Sequence, residues 1–257
     1  MNKQELSTKI WEAANKMRSK IEANEYKDYI LGFIFYKYLS EKEVKFMLDN
    51  GVQKENLKDS LTINDEKNIS KIESETIKYI SESIGYFISY DNLFSTWIDM
   101  GSSFGVSNVH DALSAFNRNI DKNYKKDFEG IFDTLQVGLS KLGENTGKQT
   151  KAIVDLIQLI KDIPMDGKQD YDVLGFIYED LISKFAQNAG KKAGEFYTPH
   201  EVSILMSEIV AEHLKDRKEI EIYDPTSGGS VIIVMGAVNV MKPRVSGTLN
   251  KYILCIA

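Results

Sequence analysis

The chain has 257 residues, a hydrophobic share of 42% and a charged share of 27%, close to a soluble globular average, so one large domain or two of ordinary size are expected. Its 17 glycines and 4 prolines exclude a collagen-like or Pro/Gly-rich chain, and its single cysteine, Cys255, excludes an internal disulfide framework or a multi-cysteine metal site. The net charge of −6 argues against free-standing nucleic-acid binding, though not against binding within a complex.

In chain order, residues 4–21 form an amphipathic pattern with Leu6, Ile10, Ala14, Met17 and Ile21 on one face. Residues 26–49 predict a longer helix carrying Tyr26, Tyr29, Ile30, Phe33, Ile34, Tyr38, Leu39, Val44, Met47 and Leu48, with Gly51 as its stop. Residues 52–70 are polar and read as a loop with short pieces. Further helices fit 71–89, 108–120, 125–141 and 149–161, punctuated by Gly101-Ser102-Ser103, Gly143, Gly147 and the stretch from Pro164 to Gly167. Residues 1–165 therefore predict an all-helical domain, with its aromatic residues assigned to core packing rather than to a cofactor.

The pattern changes after 165. A helix over about 170–187 places Leu174, Ile177, Tyr178, Leu181 and Phe185 on one face, and a loop from Asn188 to Tyr197 follows. Thr198, Pro199 and Glu201 then make a capping signature for a helix reaching about 214. Residues 219–223, EIEIY, alternate as a strand does, and Asp224-Pro225-Thr226-Ser227-Gly228-Gly229-Ser230 forms a Gly-rich turn behind it. Glycines at the end of a first strand allow close backbone approach to a ligand, and the Asp224 carboxylate suits an ammonium group. A plain capped strand-to-helix turn accounts for that stretch equally well. The loop Gly194-Glu195-Phe196-Tyr197-Thr198-Pro199 adds two aromatic faces suited to an adenine ring.

GEFYTP followed by DPTSGG resembles the methyltransferase (M) subunit of type I restriction–modification systems, as do EYKDYILGFIFYKYLSEK at 25–42 and LGFIYEDLISKFA at 174–186. The resemblance spans about residues 5–230. It implies a mainly α fold: an N-terminal helical domain, 1–165, followed by the beginning of an α/β Rossmann-like methyltransferase domain, 166–257. The implied activity is adenine-N6 methylation of DNA with S-adenosylmethionine. Glu195, Phe196, Tyr197, Thr198, Pro199 and His200 would surround that cofactor, and Asp224, Pro225, Gly228, Gly229 and Ser230 would hold its methionine end. The implied partners are the specificity subunit, a second M subunit, the restriction subunit and, within the complex, DNA. Cytoplasmic location is expected.

Three departures stand against the family pattern. The turn is one residue shorter than DPTSGSGS, no acidic residue follows Asp224 to hold the ribose, and no [DN]-P-P-[FYW] tetrapeptide occurs. That tetrapeptide accepts hydrogen bonds from the adenine amino group and stacks on the flipped base, so no catalytic residue is assigned and an inactive, truncated form is expected. Residues 225–257 contain Lys242, Arg244 and Lys251 but no acid, and from about Gly229 the β-branched run SVIIVMGAVNV replaces the expected helix. A frameshift or premature stop near Gly229 explains this, with a genuinely shorter protein as the alternative. The competing function is a non-catalytic helical module that binds partner M or specificity subunits. An unrelated dinucleotide binder would require G-x-G-x-x-G, which is absent. His110, His200, His213 and Cys255 lack metal-ligand spacing, Lys191 and Lys192 read as a solvated pair rather than DNA-phosphate contacts, and Ser227 lacks a hydrolase context.

Overall fold

A computed structural model describes residues 1–18, 23–64, 69–165 and 173–188, together with the helical positions 202, 205, 206, 208, 209, 212 and 213. The chain divides into two units, Met1–Ala189 and Gly190–Ala257. The first unit is built from helices joined by short turns, and no strand occurs among its described residues.

Its helices are α1 (Lys3–Arg18), α2 (Ala23–Asp49), α3 (Leu57–Leu61), α4 (Lys71–Ile84), α5 (Phe94–Asp99), α6 (Val106–Arg118), α7 (Lys125–Phe128), α8 (Asp133–Gly138), α9 (Thr146–Ile160) and α10 (Val173–Asn188). Helix α2 is the axis of the core. It packs against α1, α5, α8, α9 and α10, and buries Tyr29, Ile30, Phe33, Ile34, Tyr36 and Leu39. Aromatic rings fill the space beside it. Tyr36 stacks on Trp97 with centroids 4.8 Å apart, and Phe116 meets Phe132 edge-on at 5.1 Å.

Three predicted helices change extent, each for a local reason. The helix expected over 71–89 ends at Ile84, because Gly85 (φ +100°) takes the left-handed conformation and its N–H closes on the Ser81 carbonyl. Ser70 and Glu73 cap the other end reciprocally. The Ser70 side chain, with the backbone N–H groups of Asn64 and Ser70, draws the Glu73 carboxyl down to about 2. The helix expected over 125–141 breaks at Gly130 into α7, a turn, α8 and a short 3-10 stretch, Leu139–Leu142. The helix expected over 149–161 begins earlier, at Thr146, because the Asn145 side chain accepts from the Lys148 N–H at 3.0 Å. The apolar residues Ile72 and Phe87, expected on one face of the helix over 71–89, part company. Phe87 is buried in an extended segment, whereas Ile72, 77% exposed, faces away from the core.

The segment 85–93 contains no α-helix and only a single 3-10 turn, Tyr90–Asn92, yet Tyr86, Phe87, Ile88 and Leu93 are buried. Its backbone polar groups must therefore find partners inside the protein. Polar side chains on one side of α2 supply several of them. Glu43 Oε2 accepts from Ile88 N–H at 2.8 Å, Ser40 Oγ accepts from Phe94 N–H at 2.9 Å, and Tyr36 O–H donates to the Asn92 carbonyl at 3.0 Å. Tyr86 returns a bond to the Leu39 carbonyl at 2.8 Å. Lys37, also buried, donates to the Ile163 carbonyl at 2.7 Å and to Glu41. Burial raises the Glu43 carboxyl well above the ordinary carboxylate range, opposed by the Ile88 hydrogen bond. Burial, and then the nearby Glu43, likewise push the Tyr36 hydroxyl upward.

Candidate cofactor site

Helix α10 precedes the candidate site in the sequence. Its buried residues Val173, Ile177 and Leu181 recur at helical spacing and face α1 and α2. The helix ends at Asn188, six residues before Gly194 in sequence. In the second unit, Val202, Leu205, Met206, Glu208, Ile209, Glu212 and His213 are helical, as the capping signature at 198–201 requires.

The residues expected to surround the cofactor, Glu195, Phe196, Tyr197, Thr198, Pro199 and His200, lie outside the described residues. So do Asp224, Pro225, Gly228, Gly229 and Ser230, the EIEIY strand and the tail beyond it. In residue type, two aromatic side chains, one carboxylate and two adjacent glycines suit an adenine, an ammonium and a closely approached backbone in turn. Among the described residues, His, Cys, Asp and Glu form no group that could hold a metal ion. None of their helices is long and apolar enough to cross a membrane.

Sequence reasoning missed the buried polar row Tyr36, Lys37, Ser40 and Glu43, and also helix α5 with Trp97. A run of polar residues inside an apolar helix, three of them on one side at spacings of four and three, was the available signal for that row. For α5 the signal was weaker, since six residues hold too little periodicity.

The described fold is a helical domain, and the ordered sequence segments that follow it resemble those of a methylase subunit. Comparison with known proteins agrees. The family model described as HsdM N-terminal domain matches residues 6–160, and that described as N-6 DNA Methylase matches 169–252. The chain therefore belongs to the HsdM family, the methylase subunits of type I restriction enzymes. It is 30% identical over 244 residues to the type I restriction enzyme MpnII methylase subunit of Mycoplasma pneumoniae, covering 88% of this chain and 42% of that protein. It is 24% identical to the MjaIX methylase subunit of Methanocaldococcus jannaschii, covering 90% of this chain and 38% of that one. A crystal structure of a type I restriction–modification methyltransferase subunit from Streptococcus thermophilus superposes with a TM-score of 0.76 at 29% identity. That match covers 98% of this chain and 52% of the neighbour. The chain thus spans less than half the length of these two relatives.

Proposed function

We propose that this chain carries the helical domain and the cofactor-entry segment of an adenine-N6 DNA methyltransferase subunit that uses S-adenosylmethionine. On this reading the helical domain comprises residues 1–165 and the methyltransferase segment residues 166–257, as the sequence pattern suggests. The observation that carries this reading is the pairing of GEFYTP at 194–199 with DPTSGG at 224–229 inside the stretch matched by the N-6 DNA Methylase model. When bound, S-adenosylmethionine supplies the activated methyl group. Phe196 and Tyr197 offer stacking faces to its adenine, with Glu195, Thr198, Pro199 and His200 framing them. Asp224 accepts hydrogen bonds from its ammonium group, while Pro225, Gly228, Gly229 and Ser230 shape the turn around it.

The partners that fit this reading are a specificity subunit, a second methylase subunit, a restriction subunit and DNA. The function it assigns is carried out inside the cell, where its DNA substrate is. These 257 residues lack the [DN]-P-P-[FYW] group that receives the adenine amino protons. The chain by itself therefore binds cofactor without transferring a methyl group. Calorimetric titration with S-adenosylmethionine tests the first half. Micromolar binding that disappears in Asp224→Ala supports the site, and no binding by the unaltered chain removes it. Labelled-methyl transfer to DNA, with a specificity subunit added, tests the second half, and incorporation above background would sink it.

A second reading, a non-catalytic helical module that binds partner subunits, is favoured by the self-contained core of the first unit. Subunit binding by the chain without cofactor binding selects it.

A further inference from the structure

Glu43 is an acid inside the helical core, fully buried on α2. Its Oε2 accepts from the Ile88 N–H at 2.8 Å, while Oε1, also buried, has no hydrogen-bond partner among the described residues. A carboxylate at this place would rest a full charge on a single neutral N–H, which costs far more than burying the neutral acid. Among the described residues no cation draws its carboxyl down. Lys37, buried on the same helix, is turned to Glu41 and to the Ile163 carbonyl. The ionisable groups that face Glu43 are the hydroxyls of Tyr36, from α2, and of Tyr86, from the segment 85–93. Both donate elsewhere, to the carbonyls of Asn92 and Leu39.

The Ile88 N–H belongs to a stretch without a helical ladder. Between Gly85 and Leu93 the chain makes one 3-10 turn, and side chains of α2 take the N–H groups of Ile88 and Phe94, through Glu43 and Ser40. The start of the stretch is held separately. The Gly85 carbonyl accepts from the Asp121 N–H at 3.0 Å, and the Tyr86 ring meets Phe116 and Phe128 at 5.3 and 5.2 Å. Its middle reaches the surface, with Asp91 exposed and Ser89, Tyr90 and Asn92 half-buried. Helix α2 itself is packed against α1, α5, α8, α9 and α10. The charge state of Glu43 therefore acts first on the backbone it holds, at Ile88.

We propose that Glu43 is a proton-binding site that ties segment 85–94 to α2: the neutral acid seats the segment, and release of its proton to solvent loosens the Ile88 attachment before the helices part. The seated form binds the proton more tightly than the loosened one. Seating is then complete below the ordinary carboxylate range and weakens as the pH rises above it. The direction in which burial moves this carboxyl agrees. The site is independent of the cofactor reading, whose residues lie in the other unit.

Two measurements on the full chain test this. Carbon-13 NMR with glutamate labelled at its carboxyl carbon reads the proton. One resonance, absent from Glu43→Gln, is expected to keep the position of a neutral acid at neutral pH, where exposed glutamates have ionised. Amide exchange at Ile88, compared with Glu43→Gln at each pH, reads the attachment. Glutamine keeps an acceptor for that N–H and cannot ionise. The two proteins should exchange alike in acid, and the excess at Ile88 in the parent should widen at each step to higher pH, without a matching excess in α1 and α9. Ser40→Ala frees the Phe94 N–H without touching a titratable group, so the widening should persist in it. A Glu43 resonance that titrates with the exposed glutamates would overturn the neutral acid. An excess at Ile88 that is constant with pH, or equal in α1 and α9, would overturn the local tie. Should Glu43→Gln fail to fold, the carboxyl titration of the unaltered chain and its Ile88 exchange relative to α9 decide the matter.

Discussion

Two parts of the chain carry the same apolar spacing with opposite results. In the unit Met1–Ala189, Ile153, Leu156, Ile157 and Ile160 on α9 recur at helical spacing and are all buried, as are Ile177 and Leu181 on α10. In the unit Gly190–Ala257, Val202, Leu205, Met206 and Ile209 keep that spacing and are 44%, 60%, 44% and 62% exposed. Periodicity states which face of a helix is apolar. Only a surface opposite that face turns it into core. The first unit supplies such surfaces from its own helices. The described positions of the second keep their apolar face exposed.

Four substitutions break or sharpen this contrast. The largest effect is expected from Trp97→Ala, which empties the stack on Tyr36 and the contact with Phe104 at 5.6 Å. It should cost about 4 kcal/mol in denaturant unfolding. A loss under about 1 kcal/mol would mean that the first unit is not close-packed at its aromatic centre.

Gly138→Ala comes next. An added Cβ would lie 1.8 Å from Tyr29 Cε1, within the close contact of α8 with α2. Forcing these helices apart should cost about 3 kcal/mol and lower the melting midpoint by several degrees. An unchanged midpoint would show that α8 is loosely attached.

Glu43→Gln should act in the opposite direction. Glutamine keeps an acceptor for Ile88 N–H and cannot ionise. The raised Glu43 carboxyl stays protonated in the folded chain when its unfolded counterpart has ionised, so stability falls as pH rises above the ordinary carboxylate range toward the folded value. The variant should match the parent near pH 4 and exceed it increasingly as the pH rises toward 8. Parallel stability–pH curves for the two proteins would refute a buried neutral carboxyl.

The smallest effect belongs to Ile209→Gln, on the exposed face of the second unit. Its change in unfolding free energy should stay within about 0.5 kcal/mol. A loss of the size seen for buried Ile would place a covering surface on that face and erase the contrast.

Much of the helical unit was legible before its tertiary structure. Helix α2 runs from Ala23 to Asp49 against an expected 26–49, and its apolar residues from Tyr29 to Leu39 lie in or against the core. A long helix repeats its pattern often enough for each turn to support the next. The stretch 125–141 reads as one helix because Phe128, Leu135 and Leu139 keep helical spacing across the break at Gly130. Of the candidate site, the residue types and their order were legible in GEFYTP and DPTSGG, while their geometry lies outside the described residues.

The sequence by itself determined the helical class, the apolar faces and the family, because these follow from local spacing and short ordered motifs. It could not determine that Tyr36, Ser40 and Glu43 would turn inward to meet the backbone of residues 88–94. Nor could it pair Ser7 with Asp180 and Lys184 across the α1–α10 seam. Those outcomes depend on which distant segments come to lie together. A polar side chain carries the same local signature whether it meets water or a buried N–H, so only the tertiary structure decides which.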